Sequence, residues 1–465
     1  MITTGTTSGA DATTVDVVVL GLGAGGEHAA IKLAREGLEV VGVEKDLVGG
    51  ECPFWGCTPS KLMIRGAHVL AEARHVDELA GRATVEPDLA PTARRIREAN
   101  HDWSDDGHSL PLQEAGVRLV RGRGRLDGPG RVVVESTRGT AVYVARRGVV
   151  LATGTEADAP PVPGLAGTPH WTNKEVVHAT AAPARLGVLG GGPIGAELAQ
   201  AFARFGSTVT LLEAGPRLLG PEEPEASAAV TAAFTREGID VRTGTEVRAV
   251  EHGDGEFRLS LPGGEVVVDE LLVATGRRAN LRGIGLETVG LDPDAGRIEV
   301  DEHLRAGDRL WAVGDVTGEG PFTHVAKYQA VGVVADLLGR AVRPADYRAL
   351  TRVTFTDPEV GAVGLTEQQA RGAGVDVRVG LADVPRSSRG WMHGPGNEGV
   401  VKVVADAERG VLVGGTVVAP YGGEVMGLLS TAVHAEVPVE VLRGMHFPFP
   451  TFQRAVETAL RRLDL

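Results

Sequence analysis

Asp16 to Leu20 (D-V-V-V-L) is an unbroken apolar run, too short for a helix and lacking the alternation of a half-exposed strand. That pattern predicts a parallel strand buried on both faces. It feeds directly into Gly21-Leu22-Gly23-Ala24-Gly25-Gly26, and from Glu27 to Arg35 the apolar positions fall at helical spacing. A second apolar run, Glu39 to Val43, delivers a carboxylate, Glu44, 18 residues after Gly26. The same order returns roughly 170 residues on: strand Ala184 to Leu189, turn Gly190 to Gly195, helix 196–205, strand 208–212, then Glu213, again 18 residues after the last glycine. Two further apolar strands close on the same tripeptide, Val149 to Gly154 and Leu271 to Gly276, both ending Ala-Thr-Gly.

Strand, glycine-rich turn, helix and acid in this order have one chemical reading. Gly21 and Gly190 make the tight turn, Gly23 and Gly192 let backbone approach a pyrophosphate, and Gly26 and Gly195 let the helix pack closely. The helix N-terminus then faces the phosphates, and Glu44 or Glu213 takes a ribose diol. Two such units predict two dinucleotide-binding domains. Leu310 to Asp315 is a further strand that brings Asp315 to its C-terminal end, the end that faces ligand in open α/β sheets. The Pro-rich stretch 159–163 and residues 277–285 read as linkers, and Arg94 to Arg97 with Asp102 to His108 as a polar, loop-rich, solvent-facing surface. From about Ala345 the texture changes. Strands are expected at Val353 to Phe355, Gly399 to Val404 and Val411 to Val418, and helices at Gly423 to His434 and Phe452 to Leu460, which together make a separate α+β domain.

Composition narrows the function. A net charge of −14 without a basic block disfavours nucleic acid as a partner, and the lack of an apolar run of about 18 residues disfavours a membrane span. Met1 to Thr14 is small and polar, a flexible tail rather than a signal peptide, so a cytoplasmic enzyme is expected. The chain has two cysteines, Cys52 and Cys57, in G-G-E-C-P-F-W-G-C-T-P-S-K. A disulfide closing so short a loop would add little stability, and no further soft ligands follow at metal-site spacing, so no metal is expected. Redox work is the better reading.

The segment Gly49 to Lys61 (G-G-x-C-x-x-x-G-C-x-P-S-K) and both fingerprints resemble the class I pyridine nucleotide–disulfide oxidoreductases, the family of glutathione reductase, dihydrolipoamide dehydrogenase and mercuric reductase. The resemblance spans Val17 to about Leu460. It implies an α/β fold with two Rossmann-like domains: an FAD-binding domain over 15–158 and 281–345, and an NAD(P)-binding domain over 159–280. An α+β dimerisation domain over 346–465 completes a homodimer, in which the C-terminal segment of the partner subunit completes each active site. Gly50, Thr153, Gly154, Gly276, Gly314 and Asp315 join the fingerprint residues at the cofactors, with Asp315 near the flavin ribityl chain. The start of the helix at Thr323-His324 resembles the family segment beside the flavin, where backbone amides steady charge on the ring. By similarity Cys57 is the flavin-proximal thiol, Cys52 exchanges with substrate, and Lys61 pairs with Glu197 near the flavin. Glu213, with only Arg217 nearby to offset it, favours NADH over NADPH.

The resemblance breaks at the C-terminus. The family pattern H-P-T-x-x-E supplies an acid–base histidine and the glutamate that orients it. Here the residues are Phe449-Pro450-Thr451-Phe452-Gln453-Arg454, so Phe449 stands for the histidine and Arg454 for the glutamate, with His446 three residues upstream and Glu457 three downstream as candidate substitutes. A phenyl ring cannot shuttle a proton. The expected acceptor is therefore a non-standard disulfide or another small thiol-reactive sulfur substrate. One resembling member, 2-ketopropyl-coenzyme M oxidoreductase/carboxylase, also has Phe at this place and cleaves a thioether with carboxylation; a redox-sensing flavoprotein acting on a protein partner is the remaining alternative. Pro53-Phe54-Trp55, bulky where the family is small, suggests an altered substrate mouth or packing beside the flavin.

Overall fold

In the computed structural model, which describes residues 12–465, the first apolar run becomes the strand Thr13–Leu20. Val17 and Val19 pack with Leu22, Ala29 and Leu33 on one face, while Val18 and Leu20 pack with Val43, Val149 and Leu151 on the other. Burial on both faces is why the run does not alternate. Thr13 and Thr14, placed in the tail by their polarity, begin this strand instead; the rest of the expected tail, residues 1–11, lies outside the described residues.

The described residues divide into two compact units, the first running up to Pro59 and including Arg97–Glu156 and Arg277–Ala345. Its sheet orders Arg305–Gly307, Leu310–Ala312, Gly139–Leu151, Thr13–Leu20, Val40–Glu44 and Arg118–Arg121, with an antiparallel extension through Arg131–Ser136 and Arg123–Leu126. Leu20 lies level with Val43 and Leu151, so the glycine turn, Glu44 and the Ala152-Thr153-Gly154 turn all emerge from one edge.

The second unit comprises Ser60–Ile96, Ala157–Gly276 and Asp346–Leu465. Its parallel sheet, Asp240–Arg242, Thr208–Leu212, Arg185–Leu189 and Glu270–Val273, repeats that register, with Leu189 level with Leu212 and Val273. The closing hydrogen bonds repeat as well. Gly21 N–H donates to Val43 O at 2.9 Å and Gly190 N–H to Leu212 O at 2.8 Å, while Ala152 and Ala274 donate to Leu20 and Leu189 at 2.8 Å. The same unit holds a three-stranded antiparallel sheet over 249–268 that the sequence reading missed. It also holds a five-stranded antiparallel sheet whose core residues Val401, Val403 and Val417 pack with the helices Gly422–His434 and Gln453–Arg461.

Two expectations need correction. Residues 277–285 are not wholly linker, because Arg277–Ala279 is a strand. Residues 94–97 lie in the helix Ala90–Ala99, and Asp102 to His108 is not simply solvent-facing: Asp105 is buried and His108 half-buried. Polarity suggested exposure there, but each buried group has a partner, as set out below.

The second unit carries one expensive feature. Lys402, 3% exposed within its strand, binds Glu223, Glu225 and Glu367, each at 2.9 Å. Desolvation opposes its charge, yet the three carboxylates hold its ammonium above the usual lysine range. Lys402→Met leaves Glu223 buried without its cation, and we expect a loss of about 3–5 kcal/mol in stability, read as a lowered denaturant midpoint; an unchanged midpoint would show that the cluster relaxes into solvent.

Candidate active site

The two fingerprints are built alike at atomic detail. Gly21 and Gly190 take φ of 92° and 102°, a region closed to most L-residues. A Cβ on Gly26 would lie 2.0 Å from Gly21 O, and one on Gly195 would lie 1.9 Å from Gly190 O, so each helix packs directly against its turn. The helices, Ala24–Arg35 and Pro193–Arg204, are capped by Gly23 and Gly192 in extended conformation, with Pro193 in the first turn of the second. The acids follow suit. Glu44 accepts the N–H of Leu22 at 2.7 Å and of Asp46 at 2.8 Å; Glu213 accepts those of Gly191 and Gly215, both at 2.6 Å. Each carboxylate thus braces its own turn and retains further acceptor capacity.

In the first unit the cysteine loop lies on the glycine turn. A Cβ on Gly50 would be 2.9 Å from Gly23 Cα, and Gly49 pairs with Gly23 as a β-bridge. Cys52 follows on the short helix Glu51–Phe54, and Cys57 opens the helix Cys57–Arg74. Both stand as thiols, Cys52 half-buried and Cys57 exposed. The hydrogen bond to Cys57 and then burial push the Cys52 thiol well up, so the proton favours Cys52 as donor to the Cys57 sulfur. Cys57 Sγ lies 3.8 Å from the hydroxyl of Thr323, first residue of the helix Thr323–Leu337. Negative charge on Cys57 therefore sits at helix N-termini, where it is favoured.

Asp315 stands at the end of a relay. Arg277 bonds Glu51 at 3.1 Å and Thr155 Oγ1 at 2.8 Å, and Thr155 donates to Asp315 at 2.8 Å. Burial raises the Asp315 carboxyl above the ordinary range, while Thr155 and Arg277 pull it down. The Gly314 N–H donates to the fully buried Gln329 at 2.6 Å, which ties this turn to the Thr323–Leu337 helix. In the second unit Lys61 Nζ lies 2.7 Å from Glu197, whose other oxygen accepts the Phe355 N–H at 2.8 Å, and the ammonium sits 4.7 Å over the Phe355 ring.

With this geometry in place, comparison with known proteins is decisive. Residues 15–330 match the pyridine nucleotide-disulphide oxidoreductase family, and residues 350–460 match its dimerisation domain. The chain belongs to this family. A mercuric reductase of Acidithiobacillus ferrooxidans is 34% identical over 98% of this chain and 84% of its own length. A dihydrolipoyl dehydrogenase of Zymomonas mobilis is 32% identical over 96% and 97%. Among solved structures, the Cu(II) complex of the HOCl-induced flavoprotein disulfide reductase RclA from Escherichia coli aligns with a TM-score of 0.86 at 25% identity, over 97% of this chain and 99% of that one. The protein is accordingly a flavin-dependent disulphide oxidoreductase of the FAD- and NAD(P)H-using class, with the two Rossmann-like domains and C-terminal dimerisation domain of a homodimer. Among the described residues no helix is long and apolar enough to cross a membrane.

The residues of this disulphide oxidoreductase fit FAD. Only Gly50 Cα comes within 4.0 Å of a Cβ placed on Gly23, and nothing comes within 4 Å of one on Gly192, so both cradles are open where a pyrophosphate would lie. The buried hydroxyl of Thr153 has no partner among the described residues, and Asn280 holds the Thr153 carbonyl at 2.9 Å. Gly154 and Gly276 close their turns by accepting from Asn280 and Asp158, both at 3.0 Å. The His324 ring stacks on Phe322.

At the C-terminus Phe449 is 66% exposed and His446 is exposed too, while Phe447 beside them is buried. Arg454 and Arg461 both pair with Glu457, which is therefore committed as their counter-ion. Phe54 is 2% exposed, its ring edge-on to His108, so its bulk serves packing and not a substrate mouth. Sequence reading overlooked Arg277, Thr155 and His108. The cation directly after Ala-Thr-Gly was a signal for Arg277; His108 gave none, because its partner Glu27 is remote in sequence.

His108 Nδ1 lies 3.1 Å from Glu27, and that carboxylate holds the imidazole above its ordinary 6.5 against the effect of burial. Asp105 raises it further and Lys327 opposes. A raised folded-state value means stabilisation that is complete below 6.5 and lost as pH climbs through the folded value. Melting temperatures between about pH 6 and 9 should fall more steeply for the parent than for Glu27→Gln; parallel slopes would remove the pair from the pH dependence.

Proposed function

We propose that this enzyme draws electrons from NADH, through FAD, onto the Cys52–Cys57 pair and gives them to a soft, thiol-reactive acceptor that needs no protonation by the protein. The observation that carries the reading is Phe449 where the family has histidine, with Arg454 where the family has the orienting glutamate and Glu457 already committed to Arg454 and Arg461. Reducing an ordinary disulfide expels a thiolate, and a nearby acid speeds its departure and retains it as a thiol. A soft metal ion exchanges between thiolates and leaves nothing to protonate. The mercuric reductase relatives and the Cu(II) complex of RclA point to the same acceptor class. One NADH supplies two electrons and releases one proton, which reduces one Hg(II) to Hg(0) or two Cu(II) to Cu(I).

FAD, when bound, supplies two-electron exchange between nicotinamide and thiols. The chain's own groups do the rest. Cys52 meets the acceptor, Cys57 holds thiolate charge beside Thr323, Asp315 and the Gly23 turn orient the cofactor, and Lys61 is fixed by Glu197. Glu213 favours NADH, since its carboxylate repels a 2′-phosphate and the Arg217 guanidinium is turned onto the carbonyls of Gly220 and Glu222. The reading places the enzyme in the cytoplasm with its nicotinamide supply. Thioether cleavage with carboxylation is the second reading, favoured by Phe449 alone.

Steady-state assays with Hg(II), Cu(II), a generic aromatic disulfide and a thioether-linked ketone separate these. We expect metal-dependent NADH oxidation that Cys52→Ser abolishes, and a disulfide rate that Phe449→His raises at least about tenfold by restoring a proton donor. Full metal turnover by Cys52→Ser, or carboxylated product from the ketone, overturns the proposal. Glu213→Gln should narrow the NADH-to-NADPH ratio of kcat/KM roughly tenfold, about 1.4 kcal/mol; a variant as selective as the parent takes Glu213 out of cofactor choice.

A further inference from the structure

Cys52 is carried by a helix of four residues, Glu51–Phe54, far shorter than a helix that sustains itself. One internal bond, from Trp55 N–H to Glu51 O at 2.8 Å, closes it. The carbonyl of Phe54 at its end has no following turn to satisfy it. It accepts instead from two side chains remote in sequence, Asn100 Nδ2 and the Trp103 indole N–H, each at 3.3 Å. Asn100 is 3% exposed, so its amide is committed to this contact and not shared with bulk water.

The segment that presents these donors is itself unusual. His101, Asp102 and Trp103 have φ of 47°, 52° and 60°, three consecutive non-glycine residues in the left-handed region. Single residues visit that region; a run of three persists only where surrounding contacts over-determine it. Arg97 pins Asp102 at 2.8 Å. Just beyond, Asp105 accepts the Val48 N–H at 2.6 Å and is held in turn by Arg121. The His108 ring fills the space over Gly49, where a Cβ would meet it at 2.9 Å, and takes the Phe54 ring edge-on. Residues 100–108 therefore grip the cysteine loop on both sides of Cys52, at Val48-Gly49 before it and at Phe54 after it.

We propose that residues 100–108 form a latch that fixes the helix bearing Cys52, with Asn100 and Trp103 as positioning residues that set the thiol–disulfide equilibrium of the Cys52–Cys57 pair. The proposal rests on that pair being the redox centre. Reduction by glutathione, Enz–S₂ + 2 GSH ⇌ Enz–(SH)₂ + GSSG, breaks the one covalent tie between the two sulfurs. While the latch holds, the reduced thiols stay in contact at high effective concentration, which favours reclosure. Loosening it grants the dithiol a freedom that the disulfide is denied, so the balance moves toward the dithiol.

The test equilibrates FAD-loaded homodimer in glutathione buffers of graded ratio, then traps thiols with an alkylating agent and counts them by mass spectrometry. Trp103→Phe keeps the ring and deletes the indole N–H; Asn100→Leu keeps the approximate shape and deletes the amide. Each should shift the equilibrium about fivefold toward the dithiol, the effect of one modest hydrogen bond, or roughly 20 mV at 29.6 mV per decade, with FAD content unchanged. FAD-replete variants that keep the parental equilibrium overturn the latch. If one variant loses FAD, the other decides; loss of FAD by both overturns it too, by showing a general structural role. Acceptor turnover that survives Cys52→Ser is a separate result, which removes the redox pair itself.

Discussion

Backbone-to-backbone contact between Gly23 and Gly50 is the constraint on which the first unit depends. A single Cβ at Gly50 would meet Gly23 Cα at 2.9 Å, and with it the cysteine loop would lift off the dinucleotide turn. Because neither residue has a side chain, the loop that carries Cys52 and Cys57 lies directly on the glycine turn of the first fingerprint. The rest follows from that seat. Cys52 comes two residues after Gly50, and Cys57 comes to rest by Thr323 at the start of the 323–337 helix. Gln329 ties the Asp315 turn to that same helix. The Cys57 thiol and the Asp315 turn are thus both held to one helix.

Charge is handled differently at each of four acids. Glu44 and Glu213 spend inner lone pairs on the amides of their own turns and keep outward ones available. Glu197 is saturated, with Lys61 on one oxygen and the Phe355 amide on the other, which makes it a fixed anchor for a cation. Glu223 answers Lys402 within a cluster of three carboxylates. Each of these carboxylates has a specific donor that satisfies it.

The C-terminal segment shows the opposite economy. Its motif keeps Pro450-Thr451 yet offers an exposed phenyl ring at 449, and the nearest carboxylate, Glu457, is neutralised by two arginines. An acceptor that exchanges directly with thiolates, as proposed above, places no demand on a proton donor.

Local pattern alone determined the two fingerprints, because a strand buried on both faces, a glycine turn and a helix are written in contiguous residues whose spacing is set by backbone geometry. The position of Glu44 and Glu213 at the close of each fingerprint was legible for the same reason, as was the closeness of the two cysteines, which are separated by four residues. Apart from the Lys61–Glu197 pair, which the family resemblance implied, what escaped were contacts made across long separations. The strand at 277–279 and the relay from Arg277 to Asp315 join segments more than a hundred residues apart. So does the three-stranded sheet at 249–268 fail to announce itself, because its strands are short and half exposed. Residues 100–108 looked like solvated loop, since polar residues are ambiguous until a partner is known. Only the tertiary structure supplied the partners: the Phe54 carbonyl for Asn100 and Trp103, the Val48 amide for Asp105, and Glu27 for His108. A hydrogen bond between remote segments leaves no periodicity in the chain, so its residues acquire meaning only when the fold brings donor to acceptor.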